Sequence, residues 1–188
     1  MTTLEPPYRG VLLVGTICAG KTTIAAAIKT NLGVDFRKSV VCPLANKLKS
    51  LATELYGMDS QKKDRVLLQT LGKSLRNIDP DVFVNYVLKE RIKYETDVIF
   101  IVDDGRYLNE LRKFKAANFL IIGLRVDEAI RMARIKSLYP DITPEALQHE
   151  SEKIWEQPET AELCDAIFDN NTFEEGTETV QRISKMLL

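Results

Sequence analysis

Short unbroken apolar runs alternate along the chain with longer stretches in which apolar residues recur every three or four positions. Residues 11–14, 98–102 and 119–124 are the clearest runs, and 40–42 and 166–168 are shorter ones. Continuous apolarity, without the alternation of a half-wetted sheet, predicts strands buried on both faces, as in a parallel sheet covered by helices. Helical periodicity fills the intervals. It predicts helices over 22–32 closed by Gly33, over 44–56 ahead of Gly57, over 64–77, from Asp79-Pro80 to about 93, and over 106–116, 127–138 and 174–187. Strands and helices in alternation predict a doubly wound α/β fold with five parallel strands. With 188 residues, no internal repeat and no low-complexity linker, the chain reads as one domain.

Composition narrows the function classes. Twenty-six basic residues against 27 acidic give a net charge of -1, which lacks the one-sided field of a dedicated nucleic-acid binder, so no nucleic-acid partner is expected. No apolar run approaches the length of a membrane span, and residues 1–9 lack a secretory pattern. Three scattered cysteines, at 18, 42 and 164, suit reduced thiols rather than a disulfide framework or zinc cluster. A cytoplasmic location is expected.

The strongest chemical signal is Gly15-Thr16-Ile17-Cys18-Ala19-Gly20-Lys21-Thr22. It matches G-x-x-x-x-G-K-[ST] and lies where the mechanism needs it, after an apolar strand and opening a helix. Glycines let backbone N–H groups wrap a polyphosphate at the positive end of a helix. Lys21 is placed to reach the β- and γ-phosphates and Thr22 to coordinate Mg²⁺; Gly15, Ala19, Gly20 and Thr23 complete the expected ATP-binding loop. A second acidic element, Asp103-Asp104, ends a strand whose carboxyl end should open on the same crevice. One of the two is expected to serve the metal, with helix capping as the plain alternative. Asn46-Lys47-Leu48-Lys49 lacks the aspartate of a guanine-reading motif and sits in a helical stretch, so it is set aside.

On the 64–77 helix, Arg65, Gln69, Gly72 and Arg76 share one face while Leu67, Leu68, Leu71 and Leu75 form the apolar stripe. Two guanidiniums, an amide and a glycine leaving room between them suit a phosphorylated ligand with an edge to read; a solvated face is the plain alternative. About 40 residues separate the last two strands, long for a simple crossover. This stretch carries Arg131 and Arg134, three apart on one helix face, and reads as a mobile cover over transferring phosphates. Trp155, the only tryptophan, is expected to report its closure. His149 has no partner that would make it a metal ligand.

Together these residues resemble the P-loop nucleoside monophosphate kinase group, most closely the bacteriophage-type deoxynucleoside monophosphate kinases. Asp104-Gly105-Arg106-Tyr107-Leu108-Asn109-Glu110 is similar to that family's D-x-R-[FY]-x-N-E. So are Leu68-Gln69-Thr70-Leu71-Gly72 followed by Arg76 and Asp79-Pro80, the pair Arg131 and Arg134, and His149-Glu150-Ser151-Glu152. The resemblance implies a P-loop NTPase fold, an NMP-binding helical region at about 43–95, a lid at about 127–160, and Asp104 and Arg106 at the incoming monophosphate. It implies Mg²⁺ and ATP, phosphate transfer to a dNMP, small-molecule nucleotides as partners, and the host's cytoplasm if the chain is phage-encoded; it leaves room for a homodimer. The segment from Asp165 to Asn170 is similar to dephospho-coenzyme A kinases and brings Asn170 to the ATP side.

The leading expectation is a dNMP kinase in which Lys21, Arg131, Arg134 and Asp104 serve the transfer and Arg65, Gln69, Arg76 and Arg106 hold the acceptor. The alternatives are a kinase of dephospho-coenzyme A or phosphomevalonate, and a non-catalytic nucleotide switch.

Overall fold

Five strands, β1 (Gly10–Val14), β2 (Lys38–Val41), β3 (Val98–Gly105), β4 (Phe119–Arg125) and β5 (Ala166–Asp169), form one parallel sheet in the order β2-β3-β1-β4-β5. The computed structural model describes residues 7–34, 38–59, 64–92 and 98–188. Each face of the sheet carries its own core, which is why the strand sequences show no polar alternation. Leu12, Val14, Phe100, Val102 and Ile121 pack under α2 (Ala45–Tyr56), α4 (Val82–Tyr86) and α5 (Leu108–Ala116). Val11, Leu13, Ile99, Ile101 and Ile122 pack under α1 (Lys21–Val34) and α9 (Phe173–Leu187). Because β1 lies between β3 and β4 and all run the same way, their carboxyl ends open on one edge of the domain.

Local chemistry sets where the helices begin and end. Gly33, expected to close α1, is itself helical; the helix runs on to Val34 and Gly33 has none of the positive φ of a left-handed cap. Gly57 does cap α2, at φ 65°. Asp64 opens α3 (Arg65–Ile78), accepting the Leu67 N–H at 2.9 Å. The helix expected from Asp79-Pro80 starts two residues late. The Asp79 N–H still closes α3 on Leu75 O, and its carboxylate accepts from Asp81 N–H to make the turn into α4. Beyond Tyr86 the hydrogen bonding widens to a π-helical turn, Val87–Ile92, which periodicity did not foretell; residue 93 lies outside the described residues.

The β4–β5 crossover holds α6 (Glu128–Leu138), α7 (Pro144–Leu147), the single turns Glu150–Glu152 and Ile154–Glu156, and α8 (Glu159–Leu163). Its second half is tied to the sheet: Ile154 is fully buried, Thr160 Oγ1 donates to Ile154 O at 2.6 Å, and the Trp155 ring lies on Gly123 of β4. A side chain at 123 would come within 2.5 Å of Trp155 Cη2, so the glycine makes the seat. Among the described residues, no helix is long and apolar enough to cross a membrane.

Candidate active site

The loop between β1 and α1 turns through two left-handed residues, Cys18 at φ 60° and Gly20 at φ 89°. A Cβ at Gly20 would overlap Asn170 Nδ2. That amide lies against the loop and donates to Ala19 O at 2.8 Å, so Asn170 braces the loop backbone. Lys21 is 7% exposed and donates to Gly15 O and Thr16 O at 2.6 and 2.7 Å. Burial first, and then the Arg106 guanidinium, push its pKa down to about 7, against the pull of Glu152, Asp104 and Asp103. The arrival of an anion there would favour the ammonium. Thr22 and Thr23 are exposed at the start of α1 and line the same cavity.

Asp103 and Asp104 differ in what they touch. Asp104 accepts the Leu44 N–H on Oδ1 and the Ala45 N–H on Oδ2, each at 2.8 Å, and so caps α2. Burial raises its pKa; the hydrogen bonds and Arg106 oppose. Asp103 is 5% exposed, and its Oδ1 is buried with no hydrogen-bond partner among the described residues. An orphaned carboxylate oxygen in a cavity that the G-x-x-x-x-G-K-T loop also lines fits a hard, oxygen-seeking cation such as Mg²⁺, and the Thr22 hydroxyl lining the same cavity is of the same donor class.

The phosphate loop, both aspartates and the cavity face of α3 surround one cavity of about 1040 Å³. Arg65, Gln69 and Arg76 line it, and so does Lys73, four residues after Gln69, which sequence reasoning passed over although the spacing marks it. Gly72 leaves no room for a ligand: a Cβ there would stand 3.2 Å from Leu48 Cδ2, so the glycine lets α3 close on α2. Arg76 lies between two rings, 4.7 Å over Phe83 and 4.5 Å over Tyr107, and reaches Glu110 at 3.3 Å. Arg65 stacks on Tyr139 at the end of α6, at 4.3 Å.

Glu110 organises the turn after β3. Its Oε2 accepts the Arg106 and Tyr107 N–H groups at 2.8 and 3.2 Å, so α5 starts at Leu108 rather than 106 and Arg106 stays outside the helix, on the cavity wall. Burial drives the Glu110 carboxyl up to about 7 although Arg76 opposes it. The Arg106 guanidinium pairs with Glu152, whose other oxygen accepts the Ile17 N–H of the phosphate loop at 2.5 Å.

Arg131 and Arg134 line different cavities and have different partners. Arg134 lines the large cavity and donates to Cys18 O and Asn171 O at 3.3 and 2.9 Å. Arg131 is held by a two-pronged bond to Glu128, 2.7 Å at each prong, and borders a separate cavity of about 380 Å³ with Thr16 and Trp155. Its Nη1 is buried with no hydrogen-bond partner among the described residues. His149 turns inward on Ser151, capping the turn that carries Glu152.

No protein-family model matches the chain, and no curated protein matches it in sequence. Solved structures share its fold. The shikimate kinase of Acinetobacter baumannii, solved with shikimate, has 15% identity and a TM-score of 0.56, with 94% of this chain and 91% of that one covered. The APS kinase of Mycobacterium tuberculosis, solved with AMPPNP and APS, has 10% identity and a TM-score of 0.51 over 97% and 98%. A gluconokinase of Sinorhizobium meliloti has 12% identity and a TM-score of 0.51 over 95% of each chain. At these identities the likeness is one of fold: this is the P-loop kinase architecture, a five-stranded parallel sheet flanked by helices.

Proposed function

We propose that the chain is a Mg²⁺-dependent kinase transferring the γ-phosphoryl group of ATP to the phosphate of a deoxynucleoside 5′-monophosphate, giving the diphosphate. The observation that carries this reading is a single cavity lined by a phosphate loop and also by cations from outside that loop, Arg65, Lys73, Arg76 and Arg106 among them. The loop suits a polyphosphate donor and the cations a phosphorylated acceptor. The resemblance of the 104–110 segment to phage-type kinases supports a nucleotide as that acceptor.

In this reading an acceptor phosphate oxygen attacks the γ-phosphorus and the bond to the β-phosphate oxygen breaks. The acceptor is already an anion, so no side chain need remove a proton; positioning and charge neutralisation do the work. Lys21 and Arg134 are assigned to the transferring group. Arg131 joins them only if it leaves Glu128. Arg65, Gln69, Arg76 and Arg106 are assigned to the acceptor. Asp103 and Thr22 are assigned to Mg²⁺, which neutralises phosphate charge when bound. Asp104 acts through α2, and Asn170 through Ala19. Closure over the reactants is assigned to 128–148, since the later part of the crossover is tied to β4.

A kinase acting on another small acceptor is the second reading, because the neighbours named above include enzymes solved with shikimate and with APS. ADP formation from ATP, measured with each dNMP, each NMP, dephospho-coenzyme A, phosphomevalonate, shikimate and no acceptor, separates the cases. Turnover with dNMPs is expected. Turnover with a non-nucleotide acceptor alone, or ATP binding with no turnover, overturns the proposal.

A further inference from the structure

The carboxylate of Glu152 touches both sets of groups: one oxygen on the Ile17 N–H of the donor loop, the other on the Arg106 guanidinium assigned to the acceptor. Its side chain is 8% exposed. A backbone N–H and a guanidinium are also the donors that a phosphate oxygen selects, and a carboxylate is the side chain that imitates one. The turn that presents it is fixed on both sides. His149 accepts the Ser151 N–H before it, and the buried Ile154 and seated Trp155 follow it. Only the Glu152 side chain need turn for the carboxylate to leave.

We infer that Glu152 is a built-in competitor of phosphate that couples the two substrates: it occupies the loop N–H until an acceptor phosphate takes Arg106, and then releases the loop to the donor's terminal phosphate. The inference rests on the assignment of Arg106 to the acceptor. Donor alone meets a carboxylate at Ile17 that is held there by its ion pair. Acceptor supplies Arg106 with a more highly charged, bidentate partner, and the freed carboxylate no longer competes. The coupling is positive and therefore mutual, since a gain in donor affinity on acceptor binding requires an equal gain in the other direction. A γ-phosphate seated only in the presence of acceptor is also protected from wasteful transfer to water. Glu152 is thus a positioning residue acting through Ile17 and Arg106.

The test is titration of wild type, Glu152→Gln and Glu152→Ala with a non-hydrolysable ATP analogue and with inorganic tripolyphosphate, each with and without dNMP. Wild type should bind the analogue about tenfold more tightly when dNMP is present, the scale of one charge-assisted hydrogen bond. Glu152→Ala should bind both probes about tenfold more tightly without dNMP, and dNMP should add little. Its acceptor-free ATP hydrolysis should rise. The isosteric Glu152→Gln, which keeps an oxygen for Ile17 but loses the ion pair, should move in the same direction and serves if the alanine variant melts early. Unchanged or weaker acceptor-free binding in both variants, or synergy that survives in both, overturns the inference. The acceptor-free arm needs no acceptor chemistry. It therefore judges Glu152 even if the acceptor panel rejects nucleoside monophosphates.

Discussion

Replacing Lys21 with Met should make the protein more stable and nearly inactive at once. The unfolded lysine keeps its proton up to its ordinary pKa of 10.5, whereas in the folded chain burial brings that down to about 7. The difference of about 3.5 units at 1.36 kcal/mol each puts the cost of burying the ammonium near 5 kcal/mol at and below neutral pH. The two bonds from Nζ to Gly15 O and Thr16 O return about 2 kcal/mol. A methionine of similar length keeps the packing and escapes the penalty, so a net gain of about 3 kcal/mol is expected at pH 6.5. Between pH 7 and 10.5 the unfolded chain binds more protons than the folded one, so the wild type gains stability with rising pH and the variant's advantage shrinks. From pH 6.5 to 9 the loss should be about 2 to 3 kcal/mol. Urea unfolding of both proteins in EDTA at the two pH values reads this difference, and titrations common to both cancel. Phosphoryl transfer, followed as ADP formation, should drop by about a hundredfold or more. Parallel stability curves for the two proteins across that range would refute the depressed pKa and the argument built on it.

Asp104→Asn should cost about 1–2 kcal/mol of stability in thermal melts, because an amide offers one acceptor where α2 needs two. Asp103→Asn should melt near the wild-type temperature yet raise the Mg²⁺ concentration needed for half-maximal transfer by about tenfold. Gly20→Ala forces a side chain into Asn170 at a left-handed φ, and should abolish binding of ATP analogues in calorimetry while the sheet's circular dichroism persists. Arg65→Ala should raise the KM for acceptor about tenfold with donor affinity little changed; an equal or larger loss of donor affinity in that variant moves α3 to the donor side.

Much of the fold was legible because each signal was local. Unbroken apolar runs mark strands covered on both faces, and a glycine-lysine loop between a strand and a helix allows few other structures. What the chain did not disclose depends on long-range partners. Nothing around Gly33 shows that its helix runs through it to Val34. Asp103 and Asp104 are the same residue type side by side; only the approach of the Leu44 and Ala45 N–H groups, 60 residues away in sequence, separates a cap from an orphaned carboxylate. Arg131 and Arg134 share helical spacing, yet Glu128 at i−3 claims the first of them. Glu152 lies inside a segment, 149–152, to which the resemblance gives no role. Its bond to a loop N–H 135 residues earlier is a fact of tertiary structure alone.

The seat that Gly123 makes for Trp155 also decides where this chain tolerates change. A fluorescent label or a short insertion should be borne in the exposed stretch near Pro140 and Asp141, which has no such anchor. The same insertion a dozen residues later would pull the indole off the sheet and take Glu152 with it. Tryptophan emission in this protein is accordingly a gauge of an intact β4. A probe for the opening of the site belongs on α6 or α7.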